Sequence, residues 1–388
     1  MPLILYRYIA KEIIWPFILG LVTFTSVLLM GRMLKIADLV VSKGVPVKEV
    51  LLLIIYLLPY FLMVTIPMSL LLAILLAFSR LSADSEITVM KAGGISLFKL
   101  LPPVMLIAII TYIFTTIISV YALPMGDVAF KNLLHNVIQN RLTMEVKEQV
   151  FNDIIPGVII YVDHYNNKTR ELSGILIQDE RNPNSISTIF ADKGQLTASN
   201  ETKEVNLSLS NGSIHQLKPN GAYQILGFQQ YDLNVDLKKA MKSFEKNELD
   251  MSMSELRSNL KTGGFSKKLT IDMGLEVYRR IAIPFVCFIF AIIAMPLGIH
   301  NQRSGKAAGF SLSIFVILVY YIVQTLFYSF GEREIIHPAL AIWAPNIIFM
   351  IVGCYLFYLA TAEKKIPMLG TILGMFKKIP TVFKKQKS

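Results

Sequence analysis

The chain has 388 residues, 54% of them apolar and 17% charged, and a net charge of +11. It carries several runs of about 18 or more apolar residues, the length that crosses a bilayer core of about 30 Å, which excludes a wholly soluble protein. In a soluble chain this charge would point to nucleic acid. Here much of it falls in the tail 363–388, behind a hydrophobic run, where lysines suit anionic headgroups, and no nucleic-acid partner is expected.

The first uncharged run is Ile13–Gly31. It is too long for the h-region of a signal peptide and no A-x-A site follows, so it reads as a retained span. Arg32 and Lys35 lie three apart at its end and share a helical face. Snorkelling to the interface is one reading of them, and binding of an anionic ligand is the other. The second run, Val50–Ser79, contains Pro59 and Pro67. As a straight helix it overshoots the bilayer, so it should tilt, kink or emerge into water.

Between the second and third runs lies Arg80-Leu-Ser-Ala-Asp-Ser-Glu-Ile-Thr-Val-Met-Lys-Ala-Gly-Gly-Ile-Ser96. Ser82 suits a helix N-cap, and Asp84 and Glu86 suit the positive end of the dipole. Ile87, Met90 and Lys91 share a face, and Gly93-Gly94 supplies a stop. The spacing predicts a short amphipathic helix in the interface plane, either a plain connector or a knob for a partner.

The third run is Leu100–Gly126, and a helical pattern continues over Asp127–Glu148. From Val150 to Leu237 the period changes to alternation. Val158–Val162, Gly174–Ile177, Ser187–Phe190, Val205–Leu209 and Ala222–Leu237 read as strands, the last broken near Gly227. Turn signals separate them at Asn166-Asn167, Asn182-Pro183, Asn211-Gly212 and Asn220-Gly221, a pattern that suits a sandwich or jelly roll. An open sheet edge there could accept a partner's strand. The polar segment Leu237–Asp272 leads back to the membrane.

Three further runs follow: Ile281–Ile299, Ala307–Gly331 and Pro338–Ala362. Glu276 and Arg280, at i,i+4 before the fourth run, can pair. On an exposed helix that is worth about 0.3–0.5 kcal/mol, so the pair reads as structural. Tyr6, Tyr8 and Trp15 read as an interfacial aromatic belt. Cys287 and Cys354 lie in apolar runs and read as buried free thiols.

The expected fold is an α-helical membrane protein with six transmembrane helices and an inserted periplasmic all-β, jelly-roll-like domain. Its parts are 1–126 with three spans and the short helix near 82–94, 127–270 with the β domain and helical connectors, 271–362 with three spans, and the basic tail 363–388. Six spans put both termini on one side. Arg7, Lys11, Arg80, Lys91, Lys99, Arg303, Lys306 and the tail lysines make that side cytoplasmic. The short loops opposite carry only Arg32, Lys35, Lys43, Lys48 and Arg333, although Arg279 and Arg280 run against the rule.

The sequence contains no H-E-x-x-H, G-x-S-x-G or C-x-x-C motif, and its five histidines lack metal-ligand spacing. No catalytic residue, metal or cofactor is expected. The span interiors carry no ionisable groups of the kind an ion-coupled transporter uses, so energy for transport would come from another subunit.

The stretch Arg80–Ser96 resembles the coupling-helix signature of the LptF/LptG (YjgP/YjgQ) permeases of lipopolysaccharide export. The resemblance extends to Pro16–Gly20, Ile66–Met68, Glu276–Pro284, Met295–Ile299, Arg303–Gly305 and Ala341–Asn346, in order and across both membrane halves. It implies a non-catalytic inner-membrane subunit that pairs with a second permease on an LptB-type ATPase dimer. Such a subunit extracts lipopolysaccharide and passes it through its β domain towards LptC and LptA-type jelly-roll proteins. The family's coupling acid falls on Glu86, with Asp84 in support, and Arg32 and Lys35 become candidates for the lipid A phosphates. The Asp84–Thr88 run leans towards LptF. A membrane scaffold using the β domain as a receptor, without transport, is the alternative, and co-purification of an ATPase separates the two.

Overall fold

The computed structural model describes residues 2–41, 46–142, 148–155, 158–166, 171–180, 187–199, 204–217, 223–236, 247–300 and 305–362. Lys43, Arg303, the basic tail and the turns read at Asn182-Pro183 and Asn220-Gly221 lie outside these residues, as do the side chains of Lys35 and Lys306. The chain divides into two compact units. One comprises Met1–Phe130 and Lys246–Ser388, the other Lys131–Glu245.

In order, the helices are α1 (Pro2–Val41), α2 (Val47–Ala83), α3 (Glu86–Ala92), α4 (Leu97–Ile117), α5 (Leu123–Leu142), α6 (Met253–Thr262), α7 (Lys267–His300), α8 (Gly305–Glu332) and α9 (Pro338–Thr361). A π-helical turn, Ile118–Ala122, joins α4 to α5. Six of the described helical segments are long and apolar enough to cross a membrane. The overshoot of the second run is resolved by length: α2 stays helical through Pro59 and Pro67 for 37 residues. At 1.5 Å per residue that is about 55 Å, well beyond the apolar layer.

Two helices form the spine of this unit. Most of the apolar windows of α2 and α7 are buried, whereas α1, α4, α8 and α9 turn apolar faces outward. The spine is tight because Gly298 carries no side chain. A Cβ there would lie 2.7 Å from Phe78 Cβ and 3.0 Å from the Leu75 carbonyl. Lipid supplies little hydrophobic force between helices, so such close backbone approach and a few polar contacts do the holding. The Thr25 and Thr65 hydroxyls meet at 3.0 Å between α1 and α2. Tyr320 donates to Asn346 Oδ1 at 2.7 Å, and Asn346 Nδ2 donates to the Ala282 carbonyl at 2.9 Å. Cys287 is buried as expected, but Cys354 is exposed on the outer side of α9.

The Glu276–Arg280 pair is not an exposed one. Arg280 is 0% exposed and Glu276 3%. The Arg280 Nε donates to Glu276 Oε1 at 2.9 Å. Its two Nη groups donate to the carbonyls of Met251 at 2.7 Å and of Glu248 and Leu249 at 3.1 Å. Arg279 Nε stands 2.8 Å from the other Glu276 oxygen. The guanidinium therefore ties α7 to the segment that enters α6. That segment is itself ordered by a capping box, in which Ser252 accepts from the Glu255 N–H and Glu255 accepts from the Ser252 N–H.

The second unit contains β1 (Asn152–Ile155), β2 (Val158–Asn166), β3 (Glu171–Asp179), β4 (Ser187–Ser199), β5 (Glu204–Leu217) and β6 (Tyr223–Asp236). Among the described residues these strands form one antiparallel sheet in strict sequence order. Alternation builds its core: Ile160 pairs with Ile177 and that with Ile189, while Val162 pairs with Ile175 and that with Ala191. Two expected breaks are not breaks. Strand β6 runs through Gly227 and β5 runs through Asn211-Gly212.

The Asn-Gly pair does something else. The registers pass over Asp163 and Gly174 between β2 and β3, Gly174 and Asp192 between β3 and β4, Asp192 and Asn211 between β4 and β5, and Asn211 and Gln229 between β5 and β6. These residues form one transverse row along which pairing lapses. Gly174 (φ 63°) and Asn211 (φ 54°) adopt left-handed backbone there. The sheet is thus creased, and beside the crease Gly212 has no room for a side chain. A Cβ would strike the Phe190 carbonyl and the Phe228 ring.

Two outcomes follow from this packing. Gly212→Ala should destabilise the β unit by about 1–3 kcal/mol through overpacking, visible as faster proteolysis within 131–245 in the intact protein. Arg280→Ala should cost about 3–5 kcal/mol, because Glu276 and three carbonyls lose a buried partner. Arg280→Lys should recover only part of this, since an ammonium cannot reproduce the planar fork. Thermal unfolding in detergent measures both arginine variants.

Candidate functional site

The end of the helical unit that carries α3 gathers several polar connections between helices. Ser82 is not a cap. It sits in the last turn of α2, buried, and its hydroxyl donates to the Ile299 carbonyl at 2.8 Å, joining the ends of α2 and α7. Asp84 and Ser85 then turn the chain. Ser85 stands at the N-cap position in a left-handed conformation (φ 60°), without a side-chain cap bond. For a non-glycine residue this backbone is uncommon and persists where surroundings impose it.

Helix α3 is rooted and then stopped. Ile87 is 1% exposed and belongs to the same apolar core as Leu81, Leu97 and Phe78, with Met90 and Ile95 packed against it. At its end the Gly94 N–H donates to the Lys91 carbonyl at 2.9 Å and the Ile95 N–H to the Met90 carbonyl at 3.0 Å. With Gly94 at φ 77°, this is a Schellman stop, the role expected of Gly93-Gly94. The other face looks outward: Thr88 and Ala92 are exposed, and Val89 is 70% exposed.

Of the two acids expected to act here, Glu86 is half-buried and Asp84 exposed, and they have different partners. Tyr8 of α1 donates its hydroxyl to Glu86 Oε1 at 3.0 Å. Asp84 lies 3.6 Å from Arg80 Nε, and Arg80 Nη1 donates to Glu12 of α1 at 2.7 Å. Tyr8 is therefore more than part of an aromatic belt. The sequence alone named no partner for Tyr8 and did not single out Glu12. Their signal was an aromatic and an acid at i,i+4 where a span begins, legible only with their partners in view.

Beside this network is a cavity of about 580 Å³ between α1, α2 and α8, lined by Lys11, Trp15, Leu76, Arg80 and Phe310 among others. Arg32 is exposed on α1, and Lys48 is exposed at the start of α2. Arg32 follows Tyr8 by 24 residues, about 36 Å along a helix, so the candidate phosphate-binding cations belong to the opposite end of the unit. Among the described residues no group of three His, Cys, Asp or Glu side chains could hold a metal ion.

Residues 7–359 match the family model described as lipopolysaccharide export system permease LptF/LptG. The chain is 24% identical to the lipopolysaccharide export system permease protein LptF of Escherichia coli (strain K12), over 91% of this chain and 94% of that protein. It is equally similar to LptF of Shigella flexneri, and 24% identical to an uncharacterised protein of Rickettsia prowazekii (strain Madrid E) over 91% and 98% of the two chains. A match running from the first span to the last, over a fold of this composition, leaves one assignment: the chain belongs to the LptF/LptG family of lipopolysaccharide export permeases, multi-pass proteins of the inner membrane.

Proposed function

We propose that this chain is the LptF-type subunit of an ATP-driven exporter that takes lipopolysaccharide from the inner membrane. In this reading α3 is the contact with a cytoplasmic LptB-type ATPase dimer, and Glu86 is its principal group. The observation that carries the reading is the form of α3. It is a helix of about two turns with a buried root at Ile87, an exposed apolar tip at Val89 and a half-buried carboxylate beside it. Apolar contact supplies affinity at such a knob, and a charge pair fixes its register. Asp84, held towards Arg80, supports the corner.

The termini are cytoplasmic and the β unit periplasmic, as the distribution of Lys and Arg favours. The outward apolar faces of α1 and α8 form half of a cavity wall that a second permease completes around the acyl chains. Arg32 and Lys35 stand where the phosphates of lipid A would meet the wall, since guanidinium and ammonium groups bind phosphate by charge-assisted bonds. Strand β6 is the last of its sheet and carries Tyr223, Ile225 and Leu226 exposed, so it can extend by strand addition towards LptC and an LptA-type acceptor. The protein hydrolyses nothing itself. Closure driven by the ATPase squeezes the lipid out of the cavity.

Glu86→Ala should weaken association with the ATPase about tenfold, the scale of one lost charge-assisted hydrogen bond, and reduce lipopolysaccharide transport with it. Quantitative co-purification and a proteoliposome transport assay measure this, and undiminished transport would rule out the coupling role. Arg32→Ala combined with Lys35→Ala should lower photo-crosslinking of lipopolysaccharide by about tenfold while the ATPase stays bound. Unchanged crosslinking removes these two residues from the site.

A further inference from the structure

One face of α1 grips both arms of the corner between α2 and α3. Tyr8 and Glu12 are i,i+4 and so lie one above the other on that face. Tyr8 takes Glu86 on α3, and Glu12 takes Arg80 on α2. Ile9 and Ile13, both 0% exposed, lie beneath them in the core that also holds Leu81 and Ile87. The polar bonds are not needed to keep α1 in place. An ion pair with Arg80 half exposed contributes about 0–1 kcal/mol, less than the buried isoleucines. Their contribution is directional. The corner turns through only two residues, one of them strained at φ 60°, and the Ser85 side chain makes no cap bond to α3. The orientation of the Glu86 carboxylate is set from outside its own helix, by a residue 78 positions away.

We propose that Tyr8 is a positioning residue for Glu86, and that Tyr8 with the Glu12–Arg80 pair makes α1 the helix through which movement of α3 enters the membrane unit. A carboxylate accepts from several donors at once, so Glu86 can keep the Tyr8 hydroxyl while it meets a cation of the ATPase. Tyr8 then does two things. It aims the carboxylate before the partner binds, and afterwards it ties the displacement of α3 to α1, the helix that carries Arg32 towards its other end. The inference rests on α3 being the ATPase contact.

The test uses the intact complex, purified with its ATPase and second permease and reconstituted with lipopolysaccharide. Hydrolysis and transfer of lipopolysaccharide to a soluble acceptor are read on the same vesicles. Tyr8→Phe should leave hydrolysis near the parent rate and lower lipid transferred per ATP about tenfold, the low end for a lost hydrogen bond to a charged group. Adding Glu12→Gln should lower the ratio further. An unchanged ratio in both variants overturns the proposal. So does a parallel fall in hydrolysis and transfer, which would mark Tyr8 as merely structural. Glu86→Ala separates this inference from the reading beneath it. If Glu86→Ala uncouples the complex and Tyr8→Phe does not, only the role of Tyr8 falls. If Glu86→Ala has no effect either, the coupling site itself is elsewhere.

Discussion

The seam between α2 and α7 is the contact on which the membrane unit depends. Gly298 lets Phe78 approach closely, and Ser82 closes the same seam at its end by donating to the Ile299 carbonyl. Helices α1 and α8 pack on the α2 side, and α4 and α9 on the α7 side. Because α3 follows α2 after two residues, its root at Ile87 is placed by this seam as well. A buried spine with outward apolar faces suits a multi-pass membrane permease.

Charge is distributed around that spine by what desolvation allows. Inside, the polar groups are neutral, and Tyr320, Asn346, Thr25 and Thr65 are paired. Ionised groups collect at the ends. Arg280 is the instructive exception, a fully buried guanidinium tolerated because one carboxylate and three carbonyls occupy its donors. Its partners belong to the segment before α6, so a charge that breaks the positive-inside pattern serves to fasten the chain as it returns from the β unit. At the α3 end the opposite choice is made. Glu12, Arg80 and Asp84 stay partly in water, where their bonds are weak and can be exchanged.

Much of this was legible in the sequence, for identifiable reasons. Apolar runs mark spans because hydrocarbon admits little else, and Gly93-Gly94 marks a helix stop because left-handed backbone favours glycine. Local rules failed where a distant group had a better use for a residue. Ser82 looked like a cap, but a carbonyl 217 positions away takes its hydroxyl. Glu276 and Arg280 looked like a weak surface pair because spacing reveals the partner and not the burial. Asn211-Gly212 was a correct signal for left-handed backbone with the wrong consequence, a bend within a strand in place of a turn between two. The link from Tyr8 to Glu86 could not be seen at all, since nothing in either segment names the other.

The crease in the β sheet has a mechanical consequence. From β2 to β6 each ladder is continuous on both sides of the row from Asp163 to Gln229, and only that row is left out of register pairing. Bending along the row breaks none of these pairings, whereas bending across it would. The sheet therefore has one soft axis and is stiff across the others, like stiff card scored along a single line. A sheet with such a line can change its curvature while strands β2 to β6 keep their neighbours.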